Sequence, residues 1–415
     1  MLYNMKKRIV ITGAGSTSAL GNTRQELFEA LLAGRTAVRP IPEWRERMQN
    51  ATSVVAAPVE LPEATAKTIS RHYRRSMGPA ALYAALAAKS AVAEAGLTPE
   101  LLGNGRTGCI ASSTLGSSTE IEAVARAIFL GGNFFDLPAC QFFKMVSHSS
   151  AFNVANLMGI NGVQLSPCSA CASSLQSVGL AYEQLLLGKQ DAFLAGGSDE
   201  ATPIVLDSFR LLHALAEDKD MTPEQMSRPF DARRSGLVCG EGAAILTLET
   251  LEHAQARGAR PLAEILGYAT NCTGAQISQS DSASIRRCME MALEDAGIAP
   301  QDVDYISAHA TGTPNGDSEE AKAIFAVFGD KAPVSSLKGQ LGHTLGASGA
   351  LELTVILEMM QRGIILPNHN LEQIADDCIG PDFVLEPRQC KVDVVLKNCI
   401  AFGGVNVSLV LKKID

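Results

Sequence analysis

Ser166-Pro167-Cys168-Ser169-Ala170-Cys171-Ala172-Ser173-Ser174-Leu175 is the stretch on which the reading of this chain turns. The short apolar run Gly162-Val163-Gln164-Leu165 precedes it and reads as a strand. Ala172 to Leu187 follows, small or apolar on nearly every side and closed by Gly188; that is the pattern of a helix buried all round, with glycine as its stop. Cys171 therefore falls where a strand turns sharply into the start of a core helix. Unpaired main-chain N–H groups and the positive end of the helix dipole converge there, and both favour the nucleophilic thiolate. On these residues alone a small buried hydrophobe accounts for Cys171 equally well, because most free cysteines are that.

The rest of the chain bounds the answer. Its 415 residues, 46% hydrophobic and 19% charged, are ample for a large core and suggest two domain-sized units or one duplicated one. Aromatic residues are scarce and glycines number 36, a composition that permits close helix–sheet packing. A net charge of −9 argues against a nucleic-acid partner, and no apolar run is long enough to span a bilayer. Residues 1–7 lack the apolar stretch and cleavage site of a signal peptide, so a soluble cytoplasmic protein is expected. The ten cysteines (Cys109, Cys140, Cys168, Cys171, Cys239, Cys272, Cys288, Cys378, Cys390 and Cys399) then read as reduced thiols. Cys168 and Cys171 make a C-x-x-C spacing, but no second pair completes a zinc site and no thioredoxin-like context surrounds them. Against the acidic background stands Arg71-His72-Tyr73-Arg74-Arg75, either a solvated helix face or a docking patch for an acidic partner.

Strand-like and helix-like segments alternate along the whole length. Arg8–Thr12 reads as a strand, followed by Gly13-Ala14-Gly15, Ser18-Ala19-Leu20-Gly21 and a helix from about Thr23 to Ala33. Strand, Gly-x-Gly and helix invite a dinucleotide-binding reading, a weak one because Ser18 stands at the third glycine position and Gly21 comes late. Helices are expected over 76–95, 117–130, 147–158, 284–296, 317–328 and 346–361. Strands are expected over 107–112, 191–195, 238–248, 262–268, 303–308 and 333–336, with a pair at 391–400 and 406–412 around Gly403-Gly404. Asp317 and Glu320 have the spacing of an N-cap and its N3 partner. The rhythm argues for α/β layers in two similar halves, with a buried helix layer between them.

Three further stretches break an apolar run with Gly, Thr, Asn or Ser, as strand-end loops that carry sites do. They are Ser307-Ala308-His309-Ala310-Thr311-Gly312-Thr313-Pro314-Asn315-Gly316-Asp317, Ser335–Ala347 with Lys338 and His343, and Asn398–Asn406 with Phe402. The other five histidines have no such setting. A cysteine nucleophile with two imidazoles is a coherent set for acyl transfer: the thiolate forms a thioester and neutral imidazoles donate to an oxyanion.

The motifs in this order resemble the β-ketoacyl-acyl-carrier-protein synthases of the elongating I and II types. They are Val10-Ile11-Thr12-Gly13, Ser169-Ala170-Cys171-Ala172-Ser173, Arg228-Pro229-Phe230-Asp231, Gly240-Glu241-Gly242, His309-Ala310-Thr311-Gly312-Thr313-Pro314, Lys338, Gly342-His343, Gly349-Ala350-Leu351-Glu352 and Phe402-Gly403-Gly404. The resemblance covers essentially the whole chain. It implies the thiolase-like fold in an α-β-α-β-α arrangement, with residues 1–255 carrying Cys171 and residues 256–415 carrying His309, Lys338, His343 and Phe402. It turns the Gly13-Ala14-Gly15 nucleotide lookalike into a turn of the fold.

The resemblance also implies roles. Cys171 is the acylated nucleophile, and its N–H with that of Phe402 forms the oxyanion hole. His309 and His343 assist decarboxylation of malonyl-carrier protein; Lys338 pairs with Glu352 and holds the His343 loop; Phe402 gates the nucleophile. No metal or organic cofactor is required. Acyl carrier protein is the implied partner, with Arg71, Arg74, Arg75 and Arg210 as docking candidates, and the dimer is either homomeric or shared with a chain-length-factor-like sister subunit. Ile400, Ala401, Val405, Ala310, His213 and Leu237 depart from the residues common in the family, which leaves acyl length and the choice between fatty-acid and polyketide or polyene pathways open. Three rivals stand beside this reading. A non-catalytic chain-length factor would lack the reactive cysteine; a nucleotide-dependent oxidoreductase would rest on the N-terminal glycines; a thiolase would need a second cysteine in a Cys-x-Gly setting, which neither Cys390 nor Cys399 has.

Overall fold

One pattern of strands and helices is used twice. In the first half, strands β1 (Ile9–Ser18), β2 (Thr107–Ser112), β3 (Gln164–Leu165), β4 (Ala192–Asp199) and β5 (Gly242–Thr250) are interleaved with helices α1 (Pro79–Ala95), α2 (Ser149–Met158) and α3 (Ser173–Leu186). In the second, β6 (Ala263–Cys272), β7 (Tyr305–Ser307), β8 (Pro333–Ser335), β9 (Asp382–Phe383), β10 (Val394–Ala401) and β11 (Val405–Lys413) are interleaved with α4 (Ser282–Ala296), α5 (Pro314–Phe328) and α6 (Ser348–Arg362). These belong to a computed structural model that describes residues 7–48, 51–274, 277 and 279–414. The reading of residues 1–7 thus lies outside the described residues except at Lys7. Among the described residues no helix is long and apolar enough to cross a membrane.

The eleven strands form a continuous ladder in the order β9-β8-β7-β10-β11-β6-β1-β5-β4-β2-β3. Outward from the seam, one half runs β1-β5-β4-β2-β3 and the other β6-β11-β10-β7-β8. Each places its own strands in the order first, fifth, fourth, second, third, with β9 added outside β8. The directions match too: β2 is parallel to β3 and β4, as β7 is to β8 and β10, the remaining neighbours within the five matched strands of each half are antiparallel, and the added β9 is parallel to β8. The halves meet where Ile9, Val10 and Ile11 of β1 pair with Ile265, Glu264 and Ala263 of β6.

The layering follows from which helices lack a polar side. Every residue of α6 from Ser348 to Met360 is buried, and the first ten residues of α3 are buried or nearly so. Helices with no polar face must sit inside, and α3 and α6 lie side by side between the two sheets, touching strands of both. Helices α1 and α4 cover the outer faces, α1 on β1 and β5, α4 on β6 and β11. This is the five-layer arrangement expected from the sequence.

Four expectations need correction. Gly13 and Gly15 are neither a phosphate loop nor a turn, for β1 runs straight through them. A Cβ at Gly13 would lie 2.3 Å from the Ala91 carbonyl oxygen, and one at Gly15 would lie 2.0 Å from that of Ala87, so these glycines let α1 approach β1. The strand before Cys171 shrinks to Gln164–Leu165, an exposed edge held by β2 alone, and an irregular segment separates it from the nucleophile loop. Helix α5 starts at Pro314 with Thr313 as N-cap, so Asp317 and Glu320 lie inside the helix with both carboxylates buried. Strand β4 continues through Gly196-Gly197 as far as Asp199.

Candidate active site

The two central helices begin close to one another, and the residues before each start form the site. Cys171 stands two positions before α3, behind Ala170 at φ +45°, a left-handed conformation that is rare for alanine and makes the turn sharp. Ser173 fastens it: its hydroxyl accepts from the Ser169 N–H at 2.9 Å and donates to the Ala170 carbonyl at 2.7 Å. His343 stands five positions before α6, and Leu345 at φ +52°, three before that helix as Ala170 is before α3, makes the turn between them. The His343 main chain is clamped to the 238–240 segment, donating to the Val238 carbonyl at 2.7 Å and accepting from the Gly240 N–H at 2.8 Å. His309 follows β7. Its N–H and that of Ala310 donate to the two oxygens of Glu320 at 2.8 and 2.7 Å, and those of Thr311 and Gly312 donate to Asp317 at 2.9 and 3.1 Å. The two acidic residues of α5 therefore shape the His309 loop.

Cys171, His309 and His343 line one cavity of about 350 Å³, together with Phe209, Ile400 and Phe402. The imidazole rings lie edge to face with centroids 5.2 Å apart. His343 Nδ1 is 3.0 Å from the Ser348 hydroxyl at the start of α6, whereas His309 Nδ1 is buried without a hydrogen-bond partner. Phe402 sits in the β10–β11 hairpin turn at the rim, 36% exposed, its ring centroid 5.9 Å from that of Phe209.

Burial first, and then the positive charges of Lys338 and Lys397, hold both imidazoles well below their ordinary pKa, so they are neutral at physiological pH. Burial also pushes the Cys171 thiol up to about 12, helped by Cys399 and opposed by Lys338 and by the residue's own N–H. Desolvation therefore opposes the thiolate that the helix start favours.

Lys338 and Glu352 form a buried ion pair at 2.6 Å beneath the histidines. Three further groups escaped the sequence reading. Lys397 Nζ lies 2.5 Å from the other oxygen of Glu352. Asp199 accepts from the Ser113 hydroxyl at 2.8 Å, the Thr114 N–H at 3.1 Å and the Gly346 N–H at 2.6 Å, which joins the first half to the His343 loop. Ser348 addresses His343. A readable signal existed only for Lys397, a charge inside the run Val394-Val395-Leu396-Lys397-Asn398-Cys399-Ile400.

The docking candidates divide. Arg210 lies on the helix Pro203–Leu211 that supplies Phe209 to the cavity, and it pairs with Asp207 at 2.8 Å. Arg71, Arg74 and Arg75 lie on and just after a short helix, Arg71–Arg74, and do not line that cavity. Arg74 donates to the Ile69 carbonyl at 2.9 Å, and Arg75 borders a separate cleft with His72, Cys140 and His148.

A duplicated five-layer α/β fold with a cysteine and two neutral histidines at its centre is the equipment of a thiol-dependent acyltransferase. Comparison with known proteins agrees. Residues 6–254 match the model of the β-ketoacyl synthase N-terminal domain, and residues 262–372 match that of its C-terminal domain. The chain is 36% identical over 409 residues, 98% of its length and 99% of the relative's, to 3-oxoacyl-[acyl-carrier-protein] synthase 1 of Haemophilus influenzae. It is 33% identical over 422 residues to the actinorhodin polyketide putative β-ketoacyl synthase 1 of Streptomyces coelicolor, covering 99% of this chain and 90% of that one. A β-ketoacyl synthase crystal structure from Burkholderia phymatum superposes with a TM-score of 0.94 at 39% identity, covering 99% of this chain and 100% of that one. The chain belongs to the β-ketoacyl synthase family.

Proposed function

We propose that this protein is a cytoplasmic elongating β-ketoacyl-acyl-carrier-protein synthase. It joins malonyl-carrier protein to an acyl chain held as a thioester on Cys171, in fatty-acid or polyketide chain elongation. The observation that carries the reading is the convergence of Cys171, His309 and His343 on one cavity. A neutral imidazole takes the Cys171 proton as the thiol attacks the acyl-carrier thioester, and the departing carrier thiolate receives it. Malonyl-carrier protein then loses CO2. The enolate oxygen accepts from His309 and His343; on this mechanism the Ser348 hydroxyl, 3.0 Å from His343 Nδ1, acts as donor there and leaves the proton of that imidazole on Nε2. The carbanion attacks the acyl-Cys171 carbonyl, whose oxyanion accepts from the N–H groups of Cys171 and Phe402; its collapse breaks the C–S bond and releases Cys171 as a thiolate, which takes a proton from solvent to restore the thiol. Each such donor contributes roughly 10²–10³ in rate. Lys338 and Glu352 hold the floor, and Phe402 with Phe209 forms the gate. On this reading residues 1–255 carry the nucleophile and residues 256–415 the decarboxylating groups.

Acyl carrier protein is the partner, with Arg210 at the cavity's own helix and Arg71, Arg74 and Arg75 as an outlying basic contact. A dimer is supported by the exposed edge strand β3 and by the exposed Phe129, Phe134, Phe135 and Phe142 in the first half. The test is intact-protein mass spectrometry after incubation with acyl-carrier thioesters of graded length, wild type against Cys171→Ala. A mass adduct on the wild type that vanishes in the variant is expected, and its preferred length reports the pathway. Equal labelling of both proteins, or none with a competent carrier, would sink the assignment.

A further inference from the structure

Strand β10 is buried at nearly every position, yet it carries a lysine. Lys397 is completely buried, a state lysine adopts almost only when its charge is met. Its Nζ faces three oxygens: Glu352 Oε2 at 2.5 Å, the Ala308 carbonyl at 3.2 Å and the Ser307 carbonyl at 3.4 Å. Ser307 and Ala308 are the two residues immediately before His309. Glu352 gives its other oxygen to Lys338, five residues before His343. One carboxylate on α6 therefore ties together, through two ammonium groups, the main-chain approaches to both histidines.

We propose that Lys397 is a positioning residue for the condensation: its ammonium clamps the Ser307 and Ala308 carbonyls to Glu352 and so fixes His309 against His343. The inference rests on the reading of those histidines as the groups that assist decarboxylation. A pair of donors is useful only while both aim at one oxygen, and a misplacement of about 1 Å can cost on the order of 10² in rate. His309 is the histidine whose ring has no Nδ1 partner of its own, so its aim depends on its backbone. Two carboxylates hold that backbone by its N–H groups; Lys397 holds it by its carbonyls.

The clamp also has an electrical signature. The charged and titratable groups around the two imidazoles include Lys338 before the His343 loop, Cys239 bridged to His343, Lys397 and Cys399 on β10, Glu352 on α6, Glu320 and Asp317 on α5, Asp199 at the end of β4, and Cys171. Lys397 lowers both imidazole pKa values. Removing its charge raises them, so the imidazolium forms at a higher pH.

The experiment compares Lys397→Met, which fills the space without charge, and Lys397→Ala, which leaves it open. Each is assayed for acyl loading on Cys171 and for CO2 release from malonyl-carrier protein across pH, with folding followed by thermal melting. Loading, which draws on one imidazole as a base and not on two donors aimed at one oxygen, is expected to fall less than CO2 release does. CO2 release is expected to fall roughly tenfold or more in both variants, with its acid limb moved to higher pH. Ammonium ions are expected to restore part of the rate in Lys397→Ala, where the three oxygens can receive a free cation, and none in Lys397→Met. Unchanged CO2 release, or an equal loss of both half-reactions with an unmoved acid limb, would overturn the positioning role. So would failure of both variants to fold, which would assign Lys397 to the core alone. A wild type that neither loads nor releases CO2 would instead refute the underlying function.

Discussion

Gly349→Ala tests the claim that one helix crossing sets the distance between the two halves of the site. Gly349 lies in the first turn of α6, where that helix meets the first turn of α3. A Cβ there would stand 2.6 Å from Leu175 Cβ, 2.9 Å from its nitrogen and 3.1 Å from its Cα. Two of those atoms are backbone, so no rotamer change relieves the overlap. The crossing must open by about 1 Å before the carbons reach the ordinary 3.5–4.0 Å. It is also pinned by the Ala350 N–H donating to the Ser174 hydroxyl at 3.0 Å, which opening would stretch. Overpacking of this kind costs about 1–3 kcal/mol, a fall of a few degrees in Tm. The kinetic effect should be larger in proportion. Cys171 rides on the start of α3 and His343 on the start of α6, so a separation of about 1 Å should slow condensation by up to roughly 10²-fold. Acyl loading, which needs no partner from α6 in its oxyanion hole, should suffer less. Thermal melting with separate assays of loading and CO2 release checks this. A Gly349→Ala protein with wild-type Tm and wild-type condensation would refute the argument that this contact sets the geometry.

The remaining predictions concern titration and the ion pairs. Alkylation of Cys171 by iodoacetamide should still be accelerating at pH 9 to 10, because burial pushes the thiol up to about 12; a plateau below pH 8 would mean that the helix N-terminus prevails. CO2 release should stay level as pH falls through 6.5 and decline only further down, since both imidazoles are held well below that value; a half-drop at 6.5 in the wild type would contradict their burial. Lys338→Met and Lys397→Met share Glu352, so their effects on condensation should be clearly non-additive in a double-mutant cycle; simple additivity would separate the two lysines. Burial opposes the charge of Glu249, but Arg257, His253 and Thr12 outweigh it and depress the carboxyl to about 2 from 4.5. Its contribution, of the order of 3 kcal/mol, is therefore full above pH 4.5 and is lost as pH falls from there toward 2. Glu249→Gln should lower stability at pH 7 and flatten the pH dependence in that window, as read by urea unfolding.

The periodic features of the chain were legible in its sequence. The limits of β2 coincide with the expected 107–112, and the ends of α1 and α4 fall at the expected Ala95 and Ala296, since apolar periodicity and a following glycine are local signals. Cys171, His309 and His343 could be picked out because each interrupts an apolar run with small polar residues. What stayed hidden depends on partners remote in sequence. Asp317 and Glu320 have the spacing of a helix cap, but Thr313 and Pro314 start the helix, and the carboxylates are needed by main-chain N–H groups five to eleven residues upstream. Gly13 and Gly15 imitate a phosphate loop because closeness of a helix to a strand and closeness of a phosphate to a backbone make the same demand for a missing Cβ. The desolvation of Cys171 was hidden for a similar reason. The helix N-terminus is visible in the sequence, whereas the desolvation that opposes it comes from the surrounding chain.

The duplication explains why the chemistry lies where it does. Each half has a helix buried against the strands of both halves, and the segment before such a helix is a place where a buried backbone turns sharply and leaves N–H groups free. The fold therefore offers two loops that meet at the α3–α6 contact, the first half's carrying Cys171 and the second half's carrying His343. Only the strand end before α5, in the second half, adds a histidine; the equivalent end of β2 leads into Ser113 and Thr114, which instead bond Asp199 and through it the Gly346 N–H of the His343 loop. On the proposed function, the first half thus supplies the group that carries the acyl chain together with a brace, and the second supplies the donors that act on malonate. A single, unduplicated half would have a nucleophile or a decarboxylating pair but could not bring one to the other. The glycine contact between α3 and α6, the Ser174 hydrogen bond and the Asp199 brace are what hold the two at reacting distance.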